Sequence, residues 1–296
     1  MKYKVIGVPT DFGANRRGVD MGPSAIRYAH LVEEIEKMGL NVEDLGDLPI
    51  PILRRKNTKE EVKFLTEVVE ICDLLAFKVE RVIRDGNFPI ILGGDHSISM
   101  GSVGGAARAN KELGLIWIDA HGDFNTYESS QSGNIHGMPL AAILGRGEEN
   151  LVRCGGIHPK VKEVNTVLVG VRDLDREEAK LLKTSQVTVF TMDDIDRKGI
   201  YQVMEEAIKI SSQNVESVHL SFDIDVLDPL EAPGVGTPVK GGLTYREAHL
   251  AMEMLFEANI LRSMDLVEVN PILDKYNKSA QLAVDLITSA LGKKVY

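Results

Sequence analysis

Cysteine is scarce in this 296-residue chain: two occur, Cys72 inside an apolar helical pattern and Cys154 beside a glycine pair. That scarcity excludes a disulfide framework and a thiolate metal site, and it suits a reducing compartment. Basic residues are outnumbered, 34 Lys and Arg against 44 Asp and Glu for a net charge of −10, and no long Lys/Arg block stands out. Binding nucleic acid through its phosphates is therefore disfavoured, and a small cationic ligand fits the balance better than a polyanion. No apolar run approaches the length of a membrane span, and the opening MKYKVIGVP lacks the apolar core and small-residue cleavage site of a signal peptide. We expect a cytoplasmic protein. Internal repeats, low-complexity tracts and Pro/Ser-rich linkers are also missing, so residues 1–296 are expected to form a single domain. No Gly-x-Gly-x-x-Gly follows the first expected strand, which argues against a nucleotide-binding module.

What is present is ample core material, 44% hydrophobic residues, in a regular rhythm. Short apolar runs at 4–8, 41–45, 89–92, 115–118, 167–171, 187–190, 218–222 and 263–267 read as strands. Longer amphipathic stretches at 23–38, 59–84, 97–113, 138–144, 177–183, 199–211, 245–258 and 280–291 read as helices. The alternation predicts an α/β fold, a mainly parallel sheet covered by helices on both faces. Sheets of this kind bind ligands outside the carboxyl ends of their strands, so chemistry is sought just after each apolar run.

Those positions are acidic or imidazole-bearing with unusual regularity. FPIIL is followed by GGDHS with Asp95 and His96, LIWI by DAHGD, TVLVGV by RDLD, SVHLSF by DID, and MDLV by EVNP with Glu268. So many polar groups converging on one sheet edge need a positive partner. The ligand-type residues His96, Asp119, His121, Asp123, Asp223 and Asp225 offer two imidazoles and four carboxylates, and four carboxylates balance two divalent cations in formal charge. Mostly oxygen donors with some imidazole and no thiolate suit manganese, with iron, cobalt or nickel as alternatives, and suit structural zinc poorly. Asp-x-Asp after a strand is also a common turn or cap feature, and a lone histidine is often merely structural. Three ligand types at i, i+2, i+4 in DAHGD are hard to explain as capping. Asp228, before Pro229, reads as a turn initiator, and Asp95 equally as a turn or supporting residue or as a further ligand.

GGDHS, DAHGDFN with SGNIHGMP after it, and SFDIDVLDP leading to APGVGTP together resemble the three signature regions of the ureohydrolase family, which holds the arginases and agmatinases. The resemblance extends from RRGVDMGPSAIRYA through GGLTYRE to EVNPILD and NKSAQLAV, and it is most similar to the bacterial arginases. It implies a three-layer α/β/α fold with a parallel, eight-stranded sheet, two Mn²⁺ ions per subunit at its carboxyl edge, and hydrolysis of L-arginine to L-ornithine and urea. It also implies a homo-oligomer, trimeric or hexameric. The six ligand-type residues coincide with the six positions the family uses.

By the same resemblance Asn125, Ser132 and Asn134 would hold the substrate α-carboxylate, which agmatine lacks, and Asp173 and Asp175 would meet the α-ammonium with Glu178 as a further acceptor. The plainer readings are a polar surface loop for the first set and an N-cap for Asp175. Glu268 would orient the guanidinium, and two bridged cations would lower the pKa of a shared water to supply the nucleophile. Asp123 would pass the proton to the leaving amine, and His136, unless it is an ordinary loop histidine, would exchange protons with solvent. Thr237 would line the pocket. The alternative is agmatinase or another ureohydrolase with a different guanidino or formimino substrate.

Overall fold

The structure, a computed structural model, describes residues 1–51 and 64–294. Eight strands, β1 (Tyr3–Val8), β2 (Val42–Asp47), β3 (Phe88–Gly93), β4 (Leu113–Ile118), β5 (Thr166–Val171), β6 (Thr188–Thr191), β7 (Ser217–Asp223) and β8 (Leu261–Val267), form one sheet. Its order is β2-β1-β3-β8-β7-β4-β5-β6, and every pairing is parallel. The helices are α1 (Gly22–Tyr28), α2 (Leu31–Lys37), α3 (Leu65–Arg84), α4 (Ser99–Ala109), α5 (Pro139–Ile143), α6 (Glu149–Arg153), α7 (Arg176–Lys183), α8 (Met192–Lys198), α9 (Ile200–Ser211), α10 (Tyr245–Ala258) and α11 (Lys278–Ala290). Among the described residues no helix is long and apolar enough to cross a membrane.

Strand alternation sorts the core into two layers. Ile116, Ile118, Leu220, Phe222, Met264 and Leu266 face one side and pack with α1, α2, α9, α10 and α11. Ile6, Ile91, Leu115, Trp117 and Val267 face the other and pack with α3, α4, α5 and α6. A sheet buried on both faces explains why its strands read as continuous apolar runs rather than as half-polar ones. The result is the expected three-layer α/β/α architecture.

Element ends differ from the sequence expectation where local chemistry intervenes. The single helix expected over 23–38 is two, because His30 takes a left-handed conformation (φ 67°) between α1 and α2. The helix expected over 97–113 stops at Ala109, and Leu113 already starts β4. Of the helix expected over 59–84, residues 59–63 lie outside the described residues, and α3 begins at Leu65. Helices α6 and α8 were unread; α8 carries one buried residue, Ile195, and is started instead by reciprocal hydrogen bonds between Thr191 and Asp194. By contrast α10 spans 245–258 as expected. Thr244 Oγ1 accepts from Glu247 N–H at 3.3 Å, Glu247 returns a bond to Thr244 N–H at 2.8 Å, and left-handed Asn259 ends the helix.

Two glycines let the carboxyl edge close up. A Cβ on Gly94 would sit 1.8 Å from Thr10 O, and one on Gly122 would sit 2.7 Å from the Glu178 carboxyl carbon. Only glycine permits such approaches of one loop to another.

Candidate metal centre and substrate cleft

Five consecutive strands, β3, β8, β7, β4 and β5, send their carboxyl ends to one spot. His96 follows β3 in a short 3-10 turn capped by the Asp95 carboxylate. Asp119, His121 and Asp123 follow β4, Asp223 ends β7 with Asp225 in the next turn, and Glu268 follows β8. Two clusters result, His96 with Asp119 and Asp223, and Asp119 with His121 and Asp225, the candidate atoms of each lying within 4.8 Å of one another. Asp119 belongs to both. His96 Nδ1 stands 3.0 Å from Asp119 Oδ2, 3.0 Å from Asp123 Oδ2 and 3.2 Å from Asp223 Oδ2. His121 Nδ1 stands 3.4 Å from Asp119 Oδ1 and 3.2 Å from Asp225 Oδ2.

Two features of this packing fit cations. His96 Nδ1 and Asp123 Oδ2 are fully buried, yet neither has a hydrogen-bond partner. Buried polar atoms are rarely left so, and these converge on a common space. Second, the site attracts positive charge: burial alone would lower the His96 and His121 pKa values, but contacts with Asp119, Asp123, Asp223 and Asp225 drive both well up. Burial, and then the charge of Asp225, pushes Asp223 well up, while burial and the charge of Asp119 raise Asp123 to about 6. Carboxylates crowded this closely resist ionising together unless a cation joins them. Neither cysteine belongs to either cluster.

Buried partners orient the donors from behind. Trp117 Nε1 donates to Asp119 Oδ2 at 3.0 Å, and its ring stacks on His96 with centroids 4.0 Å apart. His96 Nε2 meets Ser221 Oγ at 2.9 Å, and Ser221 donates to Asp265 Oδ1 at 2.7 Å. The other Asp265 oxygen takes His219 Nε2 at 2.9 Å and the Ser102 hydroxyl. A ring held this way presents a fixed nitrogen to the site.

Above the clusters opens a cleft of about 260 Å³. His96, His121, Asp123, Asp223 and Thr237 lie at its floor, and Asn125, Ser132, Asn134 and His136 form one wall. Asp173, Asp175 and Glu178 form another, while Asp119, Asp225 and Glu268 are buried beside the cleft. Asn15 and Ser130 also line the cleft and were not singled out in the sequence.

Several of these side chains have defined partners. Asp175 is the N-cap of α7, but its carboxylate accepts from Asn125 Nδ2 at 3.1 Å and Gln131 Nε2 at 3.3 Å, so it joins the two walls as well as starting a helix. Glu178 accepts from Phe124 N–H at 2.8 Å and Asp175 N–H at 3.2 Å, and burial lifts its pKa to about 7. It braces both loops. Thr237 Oγ1 donates to Asp225 Oδ2 at 3.0 Å. Glu268 Oε1 accepts from His96 N–H at 2.9 Å and meets His136 Nδ1 at 3.1 Å. Burial opposes that pairing in both partners, yet it raises His136 to about 9 and holds Glu268 below the usual carboxylate range. Asp95 accepts from Gly13 N–H at 2.9 Å, so of its two readings the structure gives it the supporting one, and Asp228 accepts from Leu230, Gly241 and Gly242 N–H in the expected turn role. Asp123 (φ 48°) and Glu268 (φ 65°) both adopt left-handed backbone, which non-glycine residues rarely do. Strain of this kind clusters at functional sites.

Comparison with known proteins agrees with this geometry. The sequence profile of the arginase family matches residues 1–292. The chain is 56% identical over 291 residues to an arginase of Bacillus subtilis, covering 98% of each chain. It superimposes on the solved arginase of Bacillus caldovelox with a TM-score of 0.97 at 52% identity, covering 100% of this chain and 99% of that one. An agmatine ureohydrolase of Thermoplasma volcanium is more distant, with a TM-score of 0.73 at 27% identity over 98% of this chain and 88% of that one.

Proposed function

We infer, from the premise that this chain belongs to the arginase family, that it is a hydrolase converting L-arginine and water to L-ornithine and urea. The observation that carries the reading is a cleft whose acidic floor is flanked by two chemically different walls. Asn125, Ser132 and Asn134 offer hydrogen-bond donors to an α-carboxylate, and Asp173 and Asp175 offer carboxylates to an α-ammonium.

The donor set fits two divalent cations, manganese first, because it is rich in carboxylate oxygen, includes imidazole and lacks thiolate. His96, Asp119 and Asp223, with Asp123 beside them, would hold one, and Asp119, His121 and Asp225 the other. Such a pair, when bound, lowers the pKa of water and so supplies a nucleophile at neutral pH. Glu268, kept ionised by His136, binds the guanidinium through charge-assisted hydrogen bonds and sets its carbon against the floor. Asp123 takes up the nucleophile's proton on the carboxylate oxygen it does not turn to a cation and returns it to the leaving amine. His136 lines the cleft and is only partly buried, so its ring exchanges protons with solvent.

The deciding experiment measures urea released from L-arginine and from agmatine by protein stripped of metal and then given Mn²⁺. Turnover of arginine with little from agmatine is expected. A preference for agmatine would overturn the substrate assignment, and undiminished activity in the stripped protein would overturn the metal assignment.

A further inference from the structure

Arg172 follows β5 directly and is half-buried beside the candidate metal centre. All three of its guanidinium nitrogens are spent on backbone carbonyls: Nη2 donates to Asp225 O at 2.8 Å and Val239 O at 2.8 Å, and Nη1 to Val226 O at 2.9 Å. Longer contacts at 3.3–3.4 Å reach Leu227 O, Gly170 O and, from Nε, Val239 O again. Among the described residues it forms no ion pair. A cation fork satisfied wholly by main chain is a device for fixing where that chain runs.

What its side chain fixes is one-sided. The Arg172 backbone N–H donates to Ala120 O at 2.9 Å, so the residue is tied to the Asp119–His121 loop by its main chain and to the Asp225 turn by its side chain. It also grips Val239, two residues beyond the threonine whose hydroxyl donates to Asp225 Oδ2. The turn packs tightly here: a Cβ on Gly242 would lie 2.5 Å from Val226 O and 2.6 Å from both Arg172 Nη2 and Asp228 N. None of these bonds reaches His96, which hangs on β3 and the Ser221 hydroxyl instead.

We propose that Arg172 is a positioning residue for one cation site of the two, the Asp119–His121–Asp225 side, and sets its affinity separately from the His96 side. This rests on the dinuclear reading above. Lysine would keep the charge but could not span the same carbonyls, so Arg172→Lys separates geometry from charge.

The test titrates metal-stripped wild-type protein, Arg172→Lys and Arg172→Gln with MnCl₂, counting bound metal and recording the Mn²⁺ EPR spectrum. Wild type is expected to take up two ions per chain with the signature of a coupled pair. Both variants should keep one tight ion, bind the second at least tenfold more weakly, and show an isolated-ion spectrum. Two ions bound with unchanged affinity in Arg172→Lys would overturn the proposal even if that variant melts lower, since a merely structural role predicts that result. Equal weakening of both ions in a variant that still melts cooperatively would overturn it too. A wild-type protein that never takes two ions would refute the dinuclear reading instead.

Discussion

His96 Nδ1 lies 3.0 Å from Asp123 Oδ2, and both atoms are buried without a hydrogen-bond partner. Two polar atoms this close normally bond. Here neither does, as suits two groups that share a third.

Replacing Asp123 with asparagine keeps the shape and removes a charge from a crowded acidic floor. Its folded pKa is raised from 3.8 to about 6, so ionising it opposes folding, and that penalty grows as pH rises between those values and persists above them. Metal-free Asp123→Asn should therefore melt higher than metal-free wild type, with the gap opening above pH 3.8 and complete past about 6. Its Mn²⁺ affinity should fall by about tenfold or more. Thermal melts across pH, paired with calorimetric titration, check both; a variant binding metal as wild type does would remove Asp123 from the donor set.

The His136–Glu268 pair makes a prediction of opposite sign. The folded pKa of His136 is raised from 6.5 to about 9, so its contribution to stability is fully present below 6.5 and is lost as pH rises through 9. The melting difference between metal-free wild type and His136→Asn should close over that window. With metal restored, His136→Asn should lose roughly tenfold to a hundredfold in turnover while binding the same number of ions. An unchanged rate would end its proton-exchange role.

Ser132→Ala and Asn134→Ala address substrate choice. Each removes a candidate partner of the α-carboxylate, and a hydrogen bond to a charged group is worth about 1.5–3 kcal/mol, so KM for arginine should rise by roughly tenfold to a hundredfold. Hydrolysis of agmatine, which has no carboxylate, should be unaffected. Steady-state kinetics on the two substrates reads the difference, and parallel losses on both would show that this wall acts on shape alone.

The six ligand-type residues were legible because each stands just past an apolar run, where a parallel sheet opens its binding edge. Strand centres were legible for the same reason, the continuity of runs such as LIWI. Less visible was the support behind the donors. His219 and Ser221 on β7, and Ser263 and Asp265 on β8, alternate along buried strands, and that period was a signal. Its meaning depends on register, which pairs Ser221 with Asp265 across strands distant in sequence. Trp117 read as plain core, because nothing in a sequence says where an indole N–H points. Arg172 was hidden for a related reason: its partners are main-chain carbonyls, which carry no residue signature.

Strand β8 lies between β3 and β7, and it alone joins the β2-β1-β3 half of the sheet to the β7-β4-β5-β6 half. As the chain is synthesised, then, two half-sheets can form early, each presenting a raw edge at the future centre. The seam stays open until residues 261–267 arrive to fill it. His96 belongs to one half and the other five ligand-type residues to the other, so no nascent fragment short of β8 should capture a pair of ions. Dinuclear loading would thus report that the last strand has been threaded into the middle of the sheet, a long-range step of the kind that slows folding.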